Sequence, residues 1–175
     1  MARIQLVDDD PLILRTLQRA MRDADWELEP FDDPVLALHA LAEKPYEVIV
    51  CDHHMPDIDG VTYLQFAKQC QPASIRILLS GMADHQALMQ AINQAEIYRF
   101  IPKPWENAEL LATIRGALNL YRTREHDRRE LDLLQIHKHR GEAERMQIKV
   151  LKTRHGELYE VQRDEQGRIV LDGEE

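Results

Sequence analysis

The sequence has little of what marks exported, membrane-inserted or cysteine-rich proteins. It contains only two cysteines in 175 residues, Cys51 and Cys70, which are too few for a disulfide framework or a cysteine-based zinc site. No apolar run approaches the roughly 18 residues that span a membrane, and the N-terminus lacks the pattern of a secretory signal. These absences predict a cytoplasmic protein with reduced thiols and no membrane contact.

Positive charge is scarce, and its distribution is uneven. The net charge is -9, yet Lys and Arg outnumber Asp and Glu between Arg122 and Arg154. A basic helical segment can contact nucleic acid, but here the basic residues are interleaved with Glu and Asp, which is more typical of a helix facing solvent or a protein. We therefore expect a protein partner, rather than nucleic acid, for this segment.

Residues 1–121 alternate short apolar runs with helical patterns, which is typical of a parallel sheet with crossover helices. The predicted strands are Arg3–Val7, Trp26–Phe31, Glu47–Cys51, Ile75–Leu79 and Ile97–Ile101. The predicted helices are Pro11 to about Ala24, Pro34 to about Glu43, Val61–Cys70, Asp84–Gln94 and a fifth from about Glu106 onward. The pattern predicts an α/β fold with a five-stranded, doubly wound parallel sheet.

Polar residues stand where the predicted strands end, at the edge of the sheet where ligands bind in such folds. Asp8 and Asp9 follow the first strand, Asp52 follows the third, Ser80 follows the fourth and Lys103 lies just beyond the fifth. Three converging carboxylates repel one another unless a cation lies among them, and ligands that are all oxygen suit Mg²⁺. The sequence therefore predicts a magnesium site formed by these acids.

Asp52 is the candidate nucleophile, because a carboxylate can form an aspartyl-phosphate and this one follows the central strand. The hydroxyl of Ser80 and the ammonium of Lys103 could then receive the charge of the phosphoryl oxygens. The alternative is that the acids after the first strand only favour a helix N-terminus. That alternative fits Asp10 but does not explain the residues after the other strands.

Four segments, LVDDDP, CDHHMPDIDG, LLSG and FIPKPW, resemble the motifs of response-regulator receiver domains of two-component signalling. The resemblance covers about residues 3–120 and implies a flavodoxin-like fold. It also implies that a sensor histidine kinase donates a phosphoryl group to Asp52 and that Lys103 contacts the phosphate, with the Lys103–Pro104 peptide usually cis. Such a protein is a signalling switch that catalyses only its own phosphorylation and dephosphorylation.

The same resemblance implies roles for individual residues. Asp8 and Asp9 would be the acidic pair, and the backbone carbonyl of His54 would be a further metal contact. Ser80 would be the switch hydroxyl, and Phe100 the aromatic residue whose rotamer follows phosphorylation. A purely structural role in the core is the alternative for Phe100.

Two features distinguish this sequence within the resemblance. His53 and His54 follow the acceptor together, and we expect His54 and Met82 to line the route of the attacking water and to set the lifetime of the phosphorylated state. The run from Tyr98 to Trp105 resembles receivers attached to cyclic-di-GMP phosphodiesterases or to other outputs that do not bind DNA.

The rest of the chain is expected to act as an extension. Residues 122–155 are predicted to be a helical linker for dimerisation or partner binding. Leu131, Leu134 and Ile148 share a heptad seam with several charged residues, so any coiled coil would be weak. Gly141 is predicted to break the helix, and residues 156–175 are predicted to form a short hairpin and an acidic tail.

Three functions are consistent with this pattern. The first is a response regulator that passes phosphorylation of Asp52 through its fifth helix and extension to a protein partner or homodimer. The second is a scaffold or adaptor that binds independently of phosphorylation, although it would not need the acids, hydroxyl and lysine together. The third is a truncated regulator without its enzymatic output domain, although the acidic, turn-rich tail favours a self-contained chain. Residues 122–175 show no helix-turn-helix, dinucleotide, HD or cyclase motif.

Overall fold

The computed structural model of the protein describes residues 1–81 and 95–154. Its strands are β1 (Ala2–Val7), β2 (Trp26–Phe31), β3 (Val48–Asp52), β4 (Ile75–Gly81) and β5 (Ile97–Lys103). Its helices are α1 (Pro11–Met21), α2 (Pro34–Glu43), α3 (Gly60–Cys70) and α4 (Asn107–Arg154). The helix predicted at Asp84–Gln94, Met82 and the hairpin predicted within residues 156–175 lie outside the described residues.

The strands form one sheet in the order β2-β1-β3-β4-β5, and every neighbouring pair is parallel. The prediction of a five-stranded, doubly wound parallel sheet is therefore confirmed. The chain crosses from β1 to β2 on one side and then returns to add β3 on the other side of β1. This reversal leaves a crevice at the carboxyl ends of β1 and β3, where ligands bind in open α/β sheets.

Three strands extend further at their carboxyl ends than their apolar runs predicted. β3 includes Asp52, β4 includes Ser80 and Gly81, and β5 includes Lys103. The strand pairing continues through these residues, since Asp52 is in register with Leu79 and Gly81 with Lys103. Asp52, Ser80 and Lys103 therefore belong to the rigid ends of the strands, whereas Asp8 and Asp9 follow the end of β1.

Aspartates fix the starts of the first three helices. The carboxylates of Asp10, Asp33 and Asp59 each accept a hydrogen bond from a backbone N–H in the first turn, at 2.7 to 3.0 Å. Proline follows Asp10 and Asp33 at the first helical position, where its missing N–H costs nothing. Helices α1 and α2 therefore begin where the sequence predicted.

The sheet is covered on both faces, as expected for parallel strands. One buried cluster joins residues of α1 and α4 to the sheet, and the other joins residues of α2 and α3 to its opposite face. Strand β3 is buried along its whole length. Its last residue, Asp52, is therefore held by a rigid central element.

Helix α4 continues without interruption from Asn107 to Arg154. The predicted break at Gly141 is wrong, because one glycine costs a helix interior only about 1 kcal/mol relative to alanine and the neighbouring residues favour a helix. The chain divides into two compact units, Met1–Asp127 and Arg128–Glu175. None of the described helices combines the length and apolar character that a membrane span requires.

Candidate functional site

Three carboxylates converge at the crevice between β1 and β3. Asp8 directly follows β1 and is 1% exposed, while Asp52 ends β3 and is 6% exposed. Asp9 is exposed beside them. One ligand oxygen of each residue lies within 4.8 Å of those of the other two. The side chains that the sequence predicted as metal ligands are therefore close enough to share one cation.

Lys103 reaches this cluster from the end of β5. Its Nζ lies 2.8 Å from Oδ2 of Asp8 and 2.7 Å from Oδ1 of Asp52. The following Lys103–Pro104 peptide bond is cis, the isomer that the family resemblance implied. One ammonium group therefore bridges two buried carboxylates that come from two different strand ends.

The charges at this site compensate one another. Burial raises the pKa of Asp8, and the hydrogen bond from Lys103 offsets only part of that effect. Burial alone would lower the pKa of Lys103, but its hydrogen bonds to Asp52 and Asp8 outweigh burial and raise this pKa. Lys103 is therefore a cation at neutral pH.

Ser80 lies at the same edge of the sheet, in β4. It is 6% exposed and stands one position beyond Leu79, the residue in register with Asp52. The structure thus places Ser80 beside the strand end that carries the predicted acceptor.

The loop after Asp52 folds back against it. The N–H of Gly60 donates to the carbonyl of His53 at 2.8 Å, and the N–H of His53 donates to the carbonyl of Leu79 at 2.9 Å. A Cβ atom on Gly60 would lie 1.9 Å from the backbone oxygen of Asp52. This close approach to the backbone of Asp52 therefore requires glycine. In the sequence, Gly60 is the last residue of the segment CDHHMPDIDG, which resembles a receiver motif.

The two histidines lie directly after Asp52. Their rings are 4.1 Å apart between centroids and tilted by 51°, and His54 is exposed while His53 is half-buried. The predicted metal contact of the His54 carbonyl stays a prediction. So does the role of Met82, which is not among the described residues.

Phe100 is half-buried and packs against the core cluster on the α2–α3 face of the sheet. This packing is compatible both with a switching aromatic residue and with the structural alternative. The switch role of Phe100 therefore stays a prediction.

Comparisons with known proteins agree with the fold. The family model for the response regulator receiver domain matches residues 4–115. The hydrogenase transcriptional regulatory protein HoxA of Bradyrhizobium diazoefficiens is 31% identical over 119 residues, covering 68% of this chain and 24% of that protein. The DNA-binding transcriptional regulator NtrC of Escherichia coli is 30% identical over 125 residues, covering 71% of this chain and 26% of that protein. The chain thus matches about a quarter of the length of these relatives.

Solved structures show the same relationship. A chain described as adenylate cyclase from Rhodopirellula baltica superposes with a TM-score of 0.70 at 30% identity, covering 74% of this chain and 96% of that one. The signal receiver domain of an HD domain-containing protein from Pseudomonas fluorescens Pf-5 superposes with a TM-score of 0.68 at 35% identity, covering 71% and 92%.

Proposed function

Because the chain belongs to the response regulator receiver domain family, we propose that it accepts a phosphoryl group from a sensor histidine kinase onto Asp52 and passes the change to a protein partner or a second copy. The observation that carries the proposal is the convergence of Asp8, Asp9 and Asp52, with Lys103 bridging two of them. A cytoplasmic location stays a prediction.

In this proposal an oxygen of the Asp52 carboxylate attacks phosphorus, and the bond from phosphorus to the kinase's histidine nitrogen breaks as the new P–O bond forms. Asp8, Asp9, Asp52 and, by the family resemblance, the His54 carbonyl would hold Mg²⁺. The fit is good because all four groups are oxygen donors and the ligand atoms of the three carboxylates lie within 4.8 Å of one another. When bound, Mg²⁺ would withdraw charge from the phosphoryl oxygens.

Lys103 and Ser80 complete the proposed site. The Lys103 ammonium, already held 2.7 Å from Asp52 Oδ1, is positioned to contact an oxygen of a group attached there. The Ser80 hydroxyl would donate to another phosphoryl oxygen. We propose that this new bond to Ser80, together with a rotamer change of Phe100, alters the packing around β5 and α4. The altered surface, together with the predicted extension (residues 122–175), would then bind the partner.

The lifetime of the phosphorylated state is a separate part of the proposal. His54 is exposed beside the acceptor, and by sequence position we propose that it and Met82 control the approach of water. Replacing either residue, as His54→Ala or Met82→Ala, should change the rate of autodephosphorylation without abolishing phosphorylation. The measurement is loss of phosphoryl label over time, and unchanged decay in both variants would contradict this role.

The relatives that this chain matches do not agree on one kind of output. HoxA and NtrC are named as transcriptional regulators, whereas one structural relative is an HD domain-containing protein. The chain covers only 24% of HoxA and 26% of NtrC. An output that does not involve DNA therefore stays a prediction, while the assembled pocket favours a phosphorylation switch over a scaffold that ignores phosphorylation.

The proposal is tested with beryllofluoride, which mimics an aspartyl-phosphate. Size-exclusion chromatography and partner pull-down are run with and without it, on the native chain and on Asp52→Ala. We expect elution or partner capture to change for the native chain and to stay constant for the variant. If beryllofluoride has no effect on the native chain, or has the same effect on Asp52→Ala, the result would favour the scaffold that binds independently of phosphorylation.

A further inference from the structure

Lys103 has less support from the sheet than the carboxylates it contacts. Asp52 ends the central strand β3, whereas Lys103 ends β5, which lies at the edge of the described sheet beside β4. Neighbouring strands lie about 4.8 Å apart, so β5 is roughly 10 Å from β3. The four-carbon stem of a lysine has little reach to spare across this distance. The contacts of Nζ with Asp8 and Asp52, at 2.8 and 2.7 Å, therefore depend on where the backbone of Lys103 lies.

The chain around Lys103 is weakly attached to the rest of the protein. Pro102 and Pro104 lack a backbone N–H that could be donated to a neighbouring strand, and both residues are exposed. Residues 106–109, which follow, are exposed as well. In this described stretch, Trp105 is the residue whose apolar side chain packs against a buried cluster, the one that joins α1 and α4 to the sheet.

Trp105 has the position of the outer residue in a hydrophobic staple. The N–H of Leu110 donates to the carbonyl of Glu106 at 3.0 Å, which makes Glu106 the N-cap of α4 and places Trp105 directly before the cap. In a hydrophobic staple, the residue before the cap packs against the fourth residue of the helix and fixes the angle at which the chain enters it. The fourth residue of α4 is Leu110, which is fully buried in the cluster against which Trp105 packs. Trp105 thus ties the end of β5 and the start of α4 to the core.

We propose that Trp105 is a positioning residue for Lys103, because its packing holds the end of β5 so that the Lys103 ammonium stays between Asp8 and Asp52. The inference rests on the proposed phosphorylation of Asp52, since the same ammonium would contact the phosphoryl group there. Lys103 lies two residues before Trp105, so a loosened connection displaces its backbone, and a small displacement weakens contacts that depend on geometry. Trp105 acts through Lys103 and has no part of its own in the chemistry.

Binding of beryllofluoride at saturating Mg²⁺ tests this role, because the bound mimic contacts Lys103. The affinity of the full chain is measured by amide chemical shifts in NMR. Trp105→Ala should bind beryllofluoride about tenfold more weakly, the size expected for the loss of one charge-assisted hydrogen bond. Trp105→Phe keeps an aromatic ring against the core and should restore most of the affinity.

Binding of Mg²⁺ alone separates a positioning role from general damage. When Lys103 no longer compensates Asp8 and Asp52, these carboxylates attract a cation more strongly, so Trp105→Ala should bind Mg²⁺ at least as tightly as the native chain. General damage to the site would weaken the binding of both ligands. In a Lys103→Ala background, Trp105→Ala should have no further effect on beryllofluoride affinity, because a residue that acts through Lys103 is then uncoupled from the site.

Trp26→Ala is the matched control. The two tryptophans of the chain pack against the same buried cluster, but Trp26 begins β2, at the end of the sheet opposite Lys103. Trp26→Ala should lose stability in urea denaturation and keep its affinity for beryllofluoride. Should Trp105→Ala not fold, Trp105→Leu takes its place, since it keeps a smaller apolar side chain at the staple.

Three results would overturn the inference while leaving the proposed function intact. They are unchanged beryllofluoride affinity in Trp105→Ala, equal weakening of its Mg²⁺ and beryllofluoride binding, and equal weakening of beryllofluoride binding in Trp26→Ala. In each case the native chain still binds both ligands. A native chain that binds neither Mg²⁺ nor beryllofluoride would overturn the proposed function itself, and the positioning role of Trp105 with it.

Discussion

Compensation of charge determines what single residues do at the proposed phosphorylation site. Asp8 and Asp52 are both buried, and two such carboxylates in contact destabilise each other unless a cation lies between them. Lys103 supplies that cation through contacts of 2.8 and 2.7 Å. The same ammonium that compensates these two carboxylates is thus in place to contact the phosphoryl group proposed on Asp52.

Gly60 provides a prediction at the scale of one residue, because a larger side chain would not fit between it and the backbone of Asp52. In Gly60→Ala the new Cβ would lie 1.9 Å from the carbonyl oxygen of Asp52, and backbone atoms cannot rotate away. The start of α3 must then move from the end of β3. We expect a loss of about 1–3 kcal/mol in unfolding free energy, measured by urea denaturation, together with weaker beryllofluoride binding.

Gly116 on α4 is the matched control for that substitution. A Cβ there would lie 2.9 Å from the hydroxyl of Tyr98, which is the end of a side chain that is 38% exposed and can move. Because alanine also favours a helix more than glycine does, Gly116→Ala should be neutral or stabilising. Equal destabilisation by both substitutions would contradict the steric argument for Gly60.

At the scale of elements, one ion-pair cluster joins β2 to the segment between α2 and β3. Glu29 accepts hydrogen bonds from Lys44 and from the hydroxyl of Tyr46, the latter at 2.6 Å. Burial alone would raise the pKa of Glu29, but these two bonds lower it below its ordinary value. A carboxyl group whose pKa is lower in the folded state stabilises the fold above its unfolded pKa. That contribution is lost as the pH falls through the folded pKa.

Glu29→Gln should therefore destabilise the protein in a pH-dependent way. We expect a loss of about 1 kcal/mol at neutral pH and a smaller loss at about pH 3, below the usual carboxyl pKa. Urea denaturation of both proteins at the two pH values measures the difference. Glu27→Gln on the same strand removes a more exposed pair with Arg3 and should cost less. A loss for Glu29→Gln that does not depend on pH would show that only the shape of the side chain matters.

The elements differ in how well the sequence predicts them, for physical reasons. β3 is a continuous apolar run, and Asp-Pro pairs begin α1 and α2, so local chemistry is sufficient there. The strand ends at Ser80 and Lys103 extended further than predicted because pairing with a neighbouring strand maintains them.

Tertiary contacts explain the features that sequence reasoning missed. The run IRILL predicted a buried strand, but it could not show that the carbonyls of Ser74 and Ala95 hold the buried Arg76. The steric role of Gly60 likewise depends on how closely α3 approaches β3. In contrast, Asp8, Asp9 and Asp52 could be predicted together, since parallel strands bring their carboxyl ends to one edge.

At the scale of the whole molecule, the two compact units suggest a division of roles. Met1–Asp127 contains every described residue of the proposed phosphorylation site and both buried clusters. From Arg128 to Leu133 every side chain is exposed, so this stretch of α4 contributes nothing to either core. The chemistry and the stability of the first unit should therefore not depend on the second.

A chain ending at Asp127 tests this division directly. Its rate of phosphorylation by a small phosphodonor should stay within about twofold of the full chain, as for changes at distant, independent sites. If residues beyond Asp127 bind the partner, the shortened chain should also lose any beryllofluoride-dependent change in elution or partner capture. Full-length Asp52→Ala is the control, because it keeps those residues but removes the acceptor. If the shortened chain is phosphorylated and still shows the beryllofluoride-dependent association, the surface that responds lies within Met1–Asp127. The switch would then not need the residues beyond Asp127.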